Sequence, residues 1–261
     1  MEIFVVDAFT DQQFKGNSAA VVPVKDWPNA NLMQQIAAEN NLSETAFIKC
    51  ISSNQYEIRW FSPLTEIDFC GHATLASAYV LFHECNLENE ITFVTSKVGT
   101  LRVSLNSHGA IEMTFPVQKP EPVSDIPASL LSGLSQPPIQ VLKNRQAYFA
   151  VFENEQDVRE LLYQSEHLKR LAPYDVVVTS PAKDYDFVSR YFWPANGGDE
   201  DPVTGSIHAG LAPYWSEKLN KDNLTAYQAS QRGGTLTCQV SNQHVIVSGK
   251  GVLYLKGIIS V

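Results

Sequence analysis

Apolar, β-branched and aromatic residues recur along the chain in short runs, many of them alternating with polar positions, as in strands with one buried face. The pattern predicts strands over 3–9, 19–24, 45–49, 56–61, 91–95, 101–105 and 111–115. A helical stripe of Leu32, Met33, Ile36 and Ala37 predicts a helix over 31–39. A second helix is predicted over 71–82, where Leu75, Ala76, Ala78, Tyr79, Val80, Leu81 and Phe82 leave little polar face. Such a helix must be buried on most sides, as one wrapped by a curved sheet would be.

One unit of this pattern occurs twice. Arg59-Trp60-Phe61-Ser62-Pro63, then Asp68 and Gly71-His72-Ala73-Thr74, returns as Arg190-Tyr191-Phe192-Trp193-Pro194, then Asp201 and Thr204-Gly205-Ser206-Ile207. Each copy reads as a strand stopped by proline, an acidic loop, and a small-residue helix entered at glycine. The copies lie about half the chain apart, so the expected fold is α+β, with two pseudo-symmetric domains, each a curved, mostly antiparallel sheet or barrel around a central helix. The second half adds strands over 148–152, 175–179, 187–192, 235–240, 245–247 and 252–261, and a helix from Gly205 that Pro213 should kink. Prolines 116, 120, 122, 127, 137 and 138 mark a crossover between the halves. The expected domains are 1–117 and 118–251, with strand 252–261 free to return to the first. A site is expected where such domains face each other.

Composition narrows the partners. The 261 residues are 44% hydrophobic, enough for real cores, and carry a formal net charge of −9 with no basic cluster. That balance repels phosphate backbones and anionic headgroups, so neither nucleic acid nor a membrane is an expected partner. The start of the chain carries Glu2 and Asp7 where a secretory signal needs base, and no apolar run nears the roughly 20 residues of a membrane span, so a cytoplasmic location is expected. Cys50, Cys70, Cys85 and Cys238 lack CxxC spacing, and no dinucleotide, phosphate-loop or nucleophile-elbow motif is present. Neither a metal nor another cofactor is expected.

Four constellations can carry chemistry. Glu44 opens an apolar strand, and is either an exposed strand-end carboxylate or a proton-transfer group aimed into a cleft. Asp68-Phe69-Cys70-Gly71-His72 enters the apolar helix, where glycine and free N–H groups suit a substrate carboxylate. There His72 either packs locally or contacts substrate, and the helix N-terminus should favour neutral imidazole; it should equally favour the Cys70 thiolate. In Asp199-Glu200-Asp201-Pro202-Val203-Thr204-Gly205, Asp201 aligns with the Asp68 loop of the first copy and should face inward to pair with His72 or a substrate amine, whereas Asp199 and Glu200 should be solvated. A metal fits that loop poorly, since His208 has no second histidine or cysteine at ligand spacing. Finally, Asn17 in the Gly16-Asn17 turn is either structural or placed at the rim of the site.

Taken together, Asp7-Ala8-Phe9, Phe14-x-Gly16-Asn17-x-Ala19-Ala20-Val21, Leu42-Ser43-Glu44-Thr45-Ala46-Phe47, Gly71-His72-Ala73-Thr74 and Glu200-Asp201-Pro202-Val203-Thr204-Gly205-Ser206 resemble the phenazine-biosynthesis (PhzF-like) isomerase family, whose fold is similar to diaminopimelate epimerase. The resemblance runs in order along nearly the whole chain. It implies a cofactor-free shift of a carbon-bound proton on a small carboxylate substrate, similar to the isomerisation of trans-2,3-dihydro-3-hydroxyanthranilate. In that reading Glu44 is the proton-shuttling acid, and His72 and Asp201 are the other two catalytic residues. Asn17, Ser43, Gly71 and Ala73 are the implied substrate contacts in the first half of the chain; Thr204, Gly205 and Ser206 are those in the second. The family also implies a homodimer. Ala73 departs from the phenazine enzyme, which has proline there, so the substrate is left open. Two alternatives stand beside this reading: an amino-acid racemase or epimerase using Cys70, and a ligand-binding homologue without turnover. The first lacks a second thiol, because the other copy has Val203, Thr204 and Gly205 at that point.

Overall fold

The apolar alternating runs fold as strands in the computed structural model, which describes residues 1–88 and 90–261. The chain divides into two units, Met1–Thr114 with Ser248–Val261, and Phe115–Val247.

In the first unit, β1 (Glu2–Ala8) and β2 (Asn17–Val24) form an antiparallel hairpin. Helix α1 (Ala30–Asn40) then carries the chain to β3 (Glu44–Ser52), which lies parallel to β2. Parallel neighbours need such a crossover, because a tight turn can only reverse the chain. Asn29 starts α1 by accepting the Leu32 N–H at 2.8 Å, and left-handed Asn41 ends it, just before Glu44. Met33, Ile36 and Ala37 of α1 bury against Ala20, Val22 and Phe47 of the sheet, each large side chain contributing about 1.5–3 kcal/mol. β4 (Gln55–Phe61) returns antiparallel to β3 and pairs with the short β5 (Glu66–Ile67). Helix α2 (Gly71–Tyr79) follows, buried from Gly71 through Ala78 and packed on β1, β2 and β3. It passes into a π-helical turn at Val80–Glu84 and leads to strand Ile91–Val94, parallel to β4. The C-terminal strand Gly251–Ile258 pairs antiparallel with β1.

The second unit repeats the plan. Strands Ala147–Val151 and Asp175–Pro181 are parallel, as are Phe187–Phe192 and Asn223–Gln228, while the hairpins of Gln140–Lys143 with Ala147–Val151, Asp175–Pro181 with Phe187–Phe192, and Asn223–Gln228 with Gly234–Val240 are antiparallel. The crossover of the second pair contains helix His208–Leu219, buried from His208 through Ser216. The fold is therefore α+β and mostly antiparallel, and each unit contains parallel pairs joined by crossovers.

Three sequence readings change: the start of the second helix, the alignment of the repeat and the solvation of Glu200. The second helix starts at His208 rather than Gly205, because residues 205–207 form a turn. Pro213 sits inside that helix without ending it. Proline supplies no N–H for the carbonyl four residues back, and here the Gln118 N–H donates to Ala209 O at 2.9 Å in its place. The repeat itself also realigns. Phe61 pairs with Glu66, and Phe192 with Glu200. Arg59 grips Glu66 through Nε and Nη2 at 2.7 Å each, and Arg190 grips Glu200 at 2.8 and 3.0 Å. Glu200 is thus an ion-paired partner of Arg190 rather than a solvated acid. By the same register the counterpart of Asp201 is Ile67, not Asp68.

Candidate active site

The sheet of the first unit brings three chain segments to one end. β2 and β3 run parallel with Ala19 opposite Glu44, and β4 is antiparallel to β3 with Phe61 opposite Thr45. The starts of β2 and β3 therefore lie at the end where β4 finishes and the chain enters α2. Asn17, Glu44 and the Cys70-Gly71-His72 segment converge there.

The turn before β2 fixes Asn17. Buried Asp7 accepts the Phe14 N–H at 2.9 Å and the Ser18 hydroxyl. Gly16 has φ +64°, and a Cβ there would lie 2.1 Å from Ala8 O, so no other residue fits. Asn17 is fully buried rather than at a rim, and its Nδ2 donates to His72 Nδ1 at 3.1 Å.

His72 Nε2 lies 2.8 Å from Glu44 Oε2. Glu44 is 5% exposed and His72 4%, yet Glu44 Oε2 accepts no aligned hydrogen bond among the described groups. The carboxylate is held close to the imidazole. Cys70 Sγ completes the cluster at 3.4 Å from Nδ1 and 3.9 Å from Nε2. Glu44, Cys70 and His72 thus present three donor atoms of the kind that bind zinc, all within 4.8 Å of one another.

The expected protonation states of the two helix-entrance residues reverse. Burial pushes the Cys70 thiol up to about 11, and the charge of Glu44 adds to this against the opposing pull of His72. Cys70 is therefore a thiol near neutral pH, not the thiolate that a helix N-terminus would favour. Burial alone would lower the His72 pKa, but Cys70 and Glu44 outweigh it and hold the imidazole well above its ordinary value. With Asn17 Nδ2 towards Nδ1 the ring is neutral and carries its proton on Nε2; half a turn of the amide presents oxygen instead and accepts from an imidazolium.

Ser43 is half-buried beside Glu44, Gly71 opens α2, and Ala73 is buried within its first turn. Asp201, Thr204, Gly205 and Ser206 belong to the second unit. There the Thr204 hydroxyl donates to Asp201 Oδ2 at 2.5 Å. Gln228, fully buried, accepts the Thr204 N–H at 2.9 Å and donates to Asp201 O at 2.8 Å, closing the turn between them. Ser206 Oγ accepts from Gln146 Nε2 at 3.0 Å. The same Gln146 nitrogen reaches Tyr191, whose hydroxyl donates to Asp175 at 2.6 Å. His208 Nδ1 donates to Thr204 O at 2.9 Å, and burial pushes its pKa down to about 4, so it is a neutral clamp.

The sequence profile described as "Phenazine biosynthesis-like protein" (PhzC-PhzF) matches residues 6–257. The chain belongs to the phenazine biosynthesis-like family. It is 44% identical over 258 residues to an uncharacterized isomerase of Halalkalibacterium halodurans, covering 97% of this chain and 96% of the relative. It is 42% identical over 257 residues to an uncharacterized isomerase of Pseudomonas aeruginosa, covering 98% of each. The crystal structure of a PhzF-family protein from Enterococcus faecalis superposes with a TM-score of 0.94 at 40% identity, covering 100% of this chain and 99% of that one. A probable proline racemase, 9% identical with a TM-score of 0.67, shares the fold alone. By these relatives the chain is an isomerase of the phenazine biosynthesis-like family.

In this family member, sequence reasoning missed Gln228 and the Gln146–Tyr191–Asp175 network. Gln228 ends the strand Asn223–Gln228, which the apolar pattern did not reveal because Asn223, Thr225 and Gln228 dilute it. Its burial beside a glycine-containing turn is a tertiary property with no local signal.

Proposed function

We propose that the chain is a cofactor-independent isomerase that moves a carbon-bound proton on a small carboxylate-bearing metabolite, with Glu44 as proton carrier. The observation carrying this reading is the buried Glu44 Oε2, held 2.8 Å from His72 Nε2 and without an aligned hydrogen bond of its own. A carboxylate removed from water and set against an imidazole is suited to take a proton from carbon and return it to another carbon of the same substrate. The imidazole beside it stabilises the anionic form before abstraction and can share the proton afterwards. Asn17 keeps the ring in place through either protonation state. The free N–H groups at the start of α2 suit the substrate carboxylate.

A compound similar to trans-2,3-dihydro-3-hydroxyanthranilate is the first substrate to try, together with other small unsaturated carboxylates. Incubated with the protein in deuterated water, a substrate should gain deuterium at carbon as product forms. A ligand that binds but neither exchanges nor isomerises would make the protein a binding homologue for that ligand. Loss of turnover in Cys70→Ala with turnover kept in Glu44→Gln would transfer the proton to the thiol, as in a racemase or epimerase.

A further inference from the structure

We propose that Glu44, Cys70 and His72 form a binding site for a soft divalent cation of the zinc type, which blocks the isomerase site when filled. The three side chains offer one carboxylate oxygen, one sulfur and one imidazole nitrogen, all buried and all within 4.8 Å of one another. Zinc takes these three donors at about 2.0–2.3 Å, which sets tetrahedral neighbours about 3.3–3.6 Å apart. The distance from Cys70 Sγ to His72 Nε2 is 3.9 Å and that from Nε2 to Glu44 Oε2 is 2.8 Å. On these two edges one distance must shorten and the other lengthen by roughly half an ångström, and the third edge, within 4.8 Å, must close as well.

Two further features fit a metal. Ligation exchanges the 2.8 Å contact between Glu44 Oε2 and His72 Nε2 for one bond from each atom to the cation. Asn17 contacts Nδ1, the nitrogen that stays outside when Nε2 ligates. Turned so that its oxygen faces Nδ1, the Asn17 amide accepts the Nδ1–H, the kind of contact that orients metal-bound histidines. Charge balance also holds, since a dication, a thiolate and a carboxylate sum to zero in a buried place where an unmatched charge is costly. Binding replaces the Cys70 S–H bond and the His72 Nε2–H bond by bonds to the metal and releases both protons to solvent, a neutral ring taking one back at Nδ1. Three protein ligands leave the fourth position to water.

The filled site removes the Glu44 lone pair used in the proposed proton transfer, so the cation acts as an inhibitor and not as a cofactor. That consequence rests on the isomerase reading, whereas binding does not. The test is therefore read without substrate. Cys50 and Cys85 are exposed thiols, so the protein carries Cys50→Ser and Cys85→Ser, is stripped with chelator, and is titrated with cadmium while the ultraviolet thiolate-to-cadmium charge-transfer band is followed. One equivalent should saturate the band, zinc should bleach it by displacing the cadmium, and His72→Gln should raise the midpoint at least tenfold. Both Cys70→Ala and Cys70→Ser should abolish the band while far-ultraviolet circular dichroism keeps its native form. Absence of a band in folded protein, or a band that survives either Cys70 substitution, would overturn the site. Deuterium exchange by the metal-free protein tests the isomerase reading separately.

Discussion

His72 Nε2 sits 2.8 Å from Glu44 Oε2, with both side chains almost withdrawn from water. Neither ion would be stable there alone, so each supports the other's charge. His72 is accordingly held well above its ordinary value of 6.5. A histidine raised on folding contributes stability that is fully present below its unfolded value and is lost as pH rises through the folded value. Thermal denaturation followed from neutral to alkaline pH should show this loss in the wild type, and His72→Gln should lack it. An equal alkaline slope in both proteins would mean that the pair is not charged.

His208 works in the opposite direction. Its folded pKa of about 4 lies below the ordinary 6.5, so the unfolded chain binds more protons between those values and stability falls as pH drops through that window. The cost at the acid end is roughly 3 kcal/mol for a shift of this size. Urea denaturation at pH 7 and at pH 4 should reveal a gap that His208→Gln narrows.

Gln228→Leu should open the turn that holds Asp201. It leaves the Thr204 N–H and the Asp201 carbonyl buried without Gln228, at about 1–3 kcal/mol for each unsatisfied group. Denaturant titration measures the stability. The turnover should fall further than the stability if Asp201 contacts substrate, and unchanged turnover in folded protein would count against that role.

Gly16→Ala should destabilise by more than about 1 kcal/mol, because its φ of +64° is unfavourable to any side chain and the new Cβ meets Ala8 O. Calorimetry checks this. Because the same turn sets Asn17 against His72, the His72 imidazole resonances should shift in NMR spectra as well.

Much of this arrangement can be read in the sequence, and the rest fails for definable reasons. The buried α2 helix is legible because apolar residues surround it, and Glu44 and His72 are legible as motif residues. Their contact is not, because it depends on the parallel register that sets Ala19 opposite Glu44. Asp201 was matched to Asp68 by counting along the chain. The loop before Glu200 is longer than the one before Glu66, and only the paired arginines reveal the shift. The Cys70 and His72 protonation states were read from the helix N-terminus alone, but burial and the Glu44 charge from another strand dominate both.

The most direct measurement is the rate at which Glu44→Gln, compared with wild type and Cys70→Ala, incorporates solvent deuterium into carbon of a turned-over carboxylate substrate. Removing the proton carrier should slow exchange by about 10²–10⁴-fold while Cys70→Ala stays near the wild-type rate. Exchange in Glu44→Gln at the wild-type rate would contradict the account.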